Sequence, residues 1–206
     1  IFEERRVNLT NLSNMEDIEV WFPCLHGPNG EDGVIQGLFK STGKPFVGSG
    51  VLGSALGMDK IAMKAAFKAA NLPQVSYFCL DDYDFIDGKI ISSLIDKIEK
   101  HIGYPCFVKP ANLGSSVGIS KAKTHADLIY SINLARSFDS RIVIEKNLVA
   151  RELECAILGK KKIRASVVGE VRFENDWYDY ESKYAHNSSE ILIPAPIDNE
   201  IADRIQ

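Results

Sequence analysis

Apolar positions along the chain recur in two rhythms, and the switches between them mark out its elements. Residues 18–23 form a short run with aromatic and β-branched members, fit for a buried parallel strand, and 44–47 form a second. Between them, the glycine-rich turn His26-Gly27-Pro28-Asn29-Gly30-Glu31-Asp32-Gly33 leads into Val34, Ile35, Leu38 and Phe39 at helical spacing, and Gly43 stops that helix. Met58-Asp59-Lys60 opens another helix, which Asn71-Leu72-Pro73 ends. A strand over 74–80, a loop at 81–84 and an amphipathic helix over 90–101 closed by Gly103 follow. An apolar run at 105–108 ends in Lys109-Pro110 and returns through a loop into a short strand finishing at Lys121. Thr124 with Asp127 reads as a capping box for a helix over 127–136. The strand 141–148 comes next, then strands 152–158 and 164–173 read as antiparallel, and a helical pattern opens at 198. Strands alternating with helices define an α/β protein.

Composition narrows the class. The 206 residues are 45% hydrophobic and 25% charged, enough for one large domain or two small ones with real cores. A net charge of -4 with dispersed lysines gives no footprint for nucleic acid. No stretch reaches transmembrane length, so no membrane partner is expected. Cys24, Cys79, Cys106 and Cys155 lie far apart in apolar contexts, which reads as buried free thiols in a reducing cytoplasm. The chain starts without methionine, 1–16 lacks a periodic pattern and the last helical pattern stops after about two turns. It therefore reads as a piece of a longer protein.

Candidate chemistry concentrates in 107–121. Gly114 and Gly118 lack Cβ and let backbone N–H groups approach an anion, Ser115 and Ser116 add hydroxyls, and Lys109 adds a point charge. Taken alone, this stretch could equally be an ordinary hairpin loop with an exposed lysine. Lys60 stands near a helix start, against the dipole preference for acids, which suits either an anionic ligand or a solvated lysine. His26 and Glu31 stand on a loop after a strand, where α/β sheets bind ligands, although Glu31 and Asp32 would also favour the positive end of the next helix. The strand ending at Glu145-Lys146 offers backbone groups to an adenine edge, Leu148 an apolar cover and Glu152 a carboxylate for ribose hydroxyls. The run 48–53 fits G-x-G-x-x-G, which would make a nicotinamide-dependent oxidoreductase, but no acid stands about 20 residues further on. A P-loop reading of 37–44 fails on its spacing and on Pro45.

Together, the His26 loop, Met58-Asp59-Lys60, Phe107-Val108-Lys109-Pro110 with Gly114-Ser115-Ser116-Val117-Gly118, Glu145-Lys146 with Arg151-Glu152, and Tyr178-Asp179-Tyr180-Glu181 with Lys183-Tyr184 resemble the bacterial D-alanine-D-alanine ligases, an ATP-grasp family. The resemblance runs from about residue 19 to the end. It implies the tail of an N-terminal open-sheet domain in 1–50, a central ATP-grasp α+β subdomain in 51–144 and part of a C-terminal ATP-grasp subdomain in 145–206.

The resemblance also implies roles. Lys60 and Lys109 would hold ATP phosphates under a lid formed by Gly114, Ser116 and Gly118. Glu145, Lys146 and Leu148 would line the adenine site, and Glu152 would take the ribose. His26 and Glu31 would meet D-alanine, Ser115 and Tyr184 would tie two closing loops together, and Lys183 would reach the γ-phosphate. The implied reaction joins two D-alanines through an acyl phosphate, for peptidoglycan precursor synthesis. Magnesium or manganese would be held by family residues that these 206 do not contain, so the chain by itself is expected to be inactive. A homodimer in the cytoplasm is carried over from the same resemblance. The alternatives are another ATP-grasp carboxylate-amine ligase, the oxidoreductase on 48–53, and a nucleotide-binding module without catalysis.

Overall fold

The computed structural model describes residues 17–173 and 189–206. It divides into two compact units, Ile1–Lys146 and Asn147–Gln206.

The first unit is built on a four-stranded antiparallel sheet of β1 (Tyr77–Leu80), β6 (Ile142–Lys146), β4 (Cys106–Pro110) and β5 (Ser120–Ala122), in that spatial order. Alternation along the strands divides their side chains between two faces. Leu80, Cys106, Val108, Ala122, Ile142 and Ile144 turn to one face and pack with Ile95 and Ile98 of α4 (Ser92–His101) and with Leu128, Ile132 and Ala135 of α5 (His125–Arg136). Thr124 caps α5 by accepting from Asp127 N at 3.2 Å, and Asp127 accepts from Lys123 N at 3.0 Å, one residue before the N-cap, so the expected cap forms with its return bond shifted by one residue. Leu128 is fully buried, and Leu128→Ala should lower unfolding free energy by roughly 3 kcal/mol, read as a reduced urea midpoint. An unchanged midpoint would mean that α5 is not part of this core.

Upstream lie α1 (Val34–Ser41), α2 (Val51–Met58) and α3 (Lys60–Ala69). The strands expected at 18–23 and 44–47 are not regular strands. Only Trp21 and Phe46 form an isolated parallel bridge, closed by Trp21 N to Pro45 O and Val47 N to Trp21 O, both 2.9 Å. Each segment has only the other for a partner among the described residues, and a ladder of two bonds is too short to extend. Packing holds it instead: Trp21 stacks on Phe39 at 4.9 Å, and Phe39 meets Phe46 at 5.9 Å. The oxidoreductase reading of 48–53 loses its framework here. No full strand precedes Gly48, and the positions 20 residues on lie inside α3 rather than at a strand end. The helix expected over 90–101 starts at Ser92, because Lys89–Ile90 (β3) pairs with Phe85–Ile86 (β2).

In the second unit, β7 (Glu152–Glu154) pairs with β10 (Gly169–Phe173), and β10 with β11 (Ser189–Leu192), all antiparallel. The antiparallel pairing expected between 152–158 and 164–173 forms in two pieces, because β8 (Ile157–Leu158) and β9 (Arg164–Ala165) make a separate ladder. Cys155 and Ala156 interrupt it, and Ser166 Oγ accepts from Ala156 N at 2.9 Å. The helix expected near the end is α6 (Asn199–Ile205). All four cysteines are free as expected, but only Cys106 is buried; Cys79 and Cys155 are half-buried and Cys24 is exposed. No described helix is long and apolar enough to cross a membrane.

Candidate functional site

The sheet face turned away from α4 and α5 carries the chemistry. The alternation that buries Cys106 and Val108 sends Phe107 and Lys109 to this face, and register places Phe107 opposite both Glu145 and Lys121, with Tyr77 on the far side of Glu145. The Glu145 carboxylate is divided between two cations. Lys109 Nζ pairs with Oε2, and Lys64 Nζ, from α3, pairs with Oε1 at 2.5 Å. Lys64 Nζ also stands 4.8 Å from the Tyr77 ring centroid, while Lys109 and Lys121 each stand 5.7 Å from that of Phe107. Two lysines thus hold one glutamate beside an aromatic floor that a third lysine, Lys121, also meets, a net positive patch suited to an anion beside a flat ring.

Burial pushes the Glu145 carboxyl up, but the ammonium groups of Lys109 and Lys64 more than offset it and hold the group below its ordinary 4.5. A depressed folded value means that the stabilisation is complete above about pH 4.5 and is lost as pH falls below it. Wild-type protein should therefore keep its urea midpoint from pH 7 to 5 and lose it on further acidification. Glu145→Gln should start lower and lose less, and parallel curves would refute this linkage.

Beyond Lys109, side chains from three elements fix where the chain leaves the sheet. Lys60 N donates to Ala111 O at 2.9 Å, and Lys60 Nζ donates to Pro110 O at 3.0 Å, to Ala111 O at 3.4 Å and to Leu113 O. Burial, with Lys109 nearby, lowers the Lys60 pKa. Asp59 caps α3, accepting from Ala62 N at 2.9 Å, and also holds Arg141. Asp139 accepts from Asn112 N at 2.7 Å and from Arg141 N at 3.0 Å. Met58-Asp59-Lys60 thus clamps the exit of β4, and the described contacts of Lys60 are carbonyls.

The loop that follows is a pair of overlapping turns. Val117 N bonds to Gly114 O at 3.1 Å and Ile119 N to Ser116 O at 3.2 Å. Ser115 at φ 51° and Ser116 at φ 60° are both left-handed, as the centre of a type I′ turn requires. Non-glycine residues rarely adopt this backbone, and two in succession store strain of the kind found at ligand clamps. Such turns bring successive N–H groups together around an anion. At Gly118, φ is 70° and an added Cβ would lie 2.8 Å from both Phe138 and Pro110. Gly118→Ala should displace the loop and weaken anion affinity by about tenfold in titration, because left-handed strain of about 1–2 kcal/mol adds to the clash. Unchanged affinity would show that the loop does not contribute.

Elsewhere, Gly27 N donates to Glu31 Oε2 at 2.6 Å, and His26 Nδ1 lies 3.9 Å from Glu31 Oε1 on an exposed loop. Asp32, not Glu31, serves the start of α1, accepting from Val34 N at 3.1 Å and Asn29 N at 2.7 Å. In the second unit Leu148 and Glu152 are exposed, and Arg151 is committed to Glu170, with Nε to Oε1 at 2.6 Å and Nη2 to Oε2 at 2.8 Å. Arg151 and Arg172 bring the Glu170 carboxyl down to about 2. Tyr184 and Lys183 fall outside the described residues.

Sequence reasoning did not find Lys64, Lys121 or Glu170. Lys64 stands four residues after Lys60 and so shares its helix face. Lys121 takes its face from strand alternation. For Glu170 we find no local signal. Among the described residues, no group of three His, Cys, Asp or Glu side chains could hold a metal ion.

A small antiparallel sheet backed by two helices is the fold of an ATP-grasp subdomain, shared with the solved structures that align with this chain. Residues 2–49 match the family model "D-ala D-ala ligase N-terminus" and residues 66–206 match "D-ala D-ala ligase C-terminus"; the chain belongs to the D-alanine-D-alanine ligase family. It is similar to the D-alanine--D-alanine ligase of Prochlorococcus marinus strain NATL2A, 65% identical over 206 residues, 100% of this chain and 59% of that protein. The ligase of Synechococcus sp. strain CC9605 is 57% identical over 189 residues, 92% of this chain and 54% of that protein. Among solved structures, the VanG D-Ala:D-Ser ligase from Enterococcus faecalis aligns with TM-score 0.80 at 35% identity, over 92% of this chain and 53% of that one. D-alanyl-alanine synthetase A from Vibrio cholerae O1 biovar eltor aligns with TM-score 0.78 at 32% identity, over 92% and 56%. The chain thus spans a little over half the length of these relatives.

Proposed function

We propose that this chain carries the ATP-handling part of a ligase that joins two D-alanines in the cytoplasm for peptidoglycan precursors. The observation that carries the reading is Lys109, next to the last residue of β4 on the open sheet face, with the left-handed Ser115-Ser116 turn in the loop that follows the strand. The names of the relatives support the substrate.

ATP, when bound, supplies the phosphoryl group that converts a poorly reactive carboxylate into an acyl phosphate open to attack by an amine. The residues of this chain bind and shield. Lys109 turns its ammonium from Glu145 to phosphate oxygens and stabilises the charge that spreads over them. Gly114, Ser116 and Gly118 close over the phosphates, and Ser115 with Tyr184 seals out water that would hydrolyse the activated acyl group. Lys60 holds the carbonyls of the loop exit and touches phosphate only by exchanging one of them. Lys146 and Leu148 receive adenine, Glu152 the ribose, His26 and Glu31 the first D-alanine, and Lys183 the γ-phosphate. The ligase works as a homodimer.

The test is ADP release from ATP by a polypeptide carrying this chain at the length of its relatives, with D-alanine and, in parallel, L-alanine, D-serine and D-lactate. Release with D-alanine alone, with D-alanyl-D-alanine as product, supports the reading. Release only when D-serine or D-lactate joins D-alanine would reassign the second substrate, and none with any of them would overturn the ligase reading.

A further inference from the structure

Lys64 is a buried charged side chain that this reading leaves without a task. Its side chain is 8% exposed, one helical turn beyond Lys60, and Gln74 Nε2 donates to its backbone carbonyl at 3.0 Å. Its ammonium rests on Glu145 Oε1 and against the Tyr77 ring, set back from Lys109, whose side chain is 25% exposed. Burying a lysine in this way is costly unless its partner needs it.

The need follows from the arrangement of charges. Glu145 is buried and its two oxygens are held by two different ammonium groups. If Lys109 leaves for an anion, Oε2 loses its partner. With Lys64 in place the carboxylate remains paired, whereas without Lys64 the departure of Lys109 would strand a buried unpaired charge. We infer that Lys64 is a positioning residue for nucleotide binding: it serves as the resident counter-ion of Glu145, so that Lys109 is free to turn to phosphate. Lys64 does not itself touch the nucleotide. The inference rests on the reading that Lys109 is a phosphate ligand.

The test is a double-mutant cycle on this chain, with calorimetric titration of ATP and of inorganic tripolyphosphate, the latter to remove any adenine contact of Glu145. Lys64→Met alone should weaken tripolyphosphate binding by about ten- to a hundredfold, because Glu145 then retains Lys109. In a Glu145→Gln background, the same substitution should change affinity by less than about threefold, since no carboxylate remains to hold Lys109. Equal losses in both backgrounds would overturn the inference and make Lys64 a purely structural residue, and so would no loss in either. Should Lys64→Met fail to fold alone, the Glu145→Gln pair stays decisive together with Lys64→Arg. There the retained charge should keep affinity near wild type, and a loss in either would contradict the inference. Wild-type protein that binds neither ATP nor tripolyphosphate would refute the phosphate reading itself, and this inference with it.

Discussion

In a polypeptide carrying this chain at the length of its relatives, replacing Lys109 with methionine should lower ligase turnover by on the order of 10²–10³ while leaving the protein folded. The first half follows from position: Lys109 is the penultimate residue of β4 on the open face, and the strand leads through residues 111–114 into the Ser115-Ser116 turn, where its charge would meet the transferring phosphoryl group. The second half follows from Lys64, which keeps Glu145 paired when Lys109 is gone. The side chain of Lys109 is a quarter exposed, so little packing is lost with its charge. Steady-state kinetics beside a urea melt separate the two effects. A folded Lys109→Met variant with near-normal turnover would remove Lys109 from the phosphate site.

Glu145→Ala should act in the opposite way, through stability. It leaves Lys64, 8% exposed, with only the face of Tyr77 for company, and it opens a gap in the middle of the sheet beside Lys109. Removing one member of a buried charge cluster costs roughly 3–5 kcal/mol, because the remaining charge is stranded in a poorly polarisable setting. The loss should be read as a lower urea midpoint at pH 7. Adding Lys64→Met to Glu145→Ala should recover part of it, since the stranded charge is then gone as well. A Glu145→Ala variant as stable as wild type would mean that the two lysines do not depend on this carboxylate.

How much of this was readable in the sequence depends on whether the cause is local. The helices at Met58-Asp59-Lys60 and after Thr124 were legible because their caps lie within four residues of what they cap. The face carrying Lys109 and Glu145 was legible as chemistry through the family resemblance, and as geometry it follows from the two-residue period of β4 and β6. Lys64 was passed over because, in an amphipathic helix, a lysine on the polar side is ordinarily solvated, and only the fold brings Glu145 beneath it from 81 residues away in sequence. Arg151 carries no role in the sequence beyond its place in the motif beside Glu152, and only the fold shows that a distant partner, Glu170, claims it. Residues 18–23 have the composition of a strand but find one bridged partner rather than a sheet, because pairing is a property of neighbours and not of the segment. Lys60 was read for its charge near a helix start, and the fold directs that charge onto the carbonyls of the β4 exit.

A crystal structure of this chain with a non-hydrolysable ATP analogue is the most direct test of the central claim. The claim predicts the triphosphate over the open face of the sheet, with Lys109 Nζ turned from Glu145 to a phosphate oxygen, Lys64 still on Glu145, and residues 114–118 folded against the phosphates. A nucleotide bound elsewhere, or one bound here with the Lys109–Glu145 pair intact and the serine turn unmoved, would contradict it.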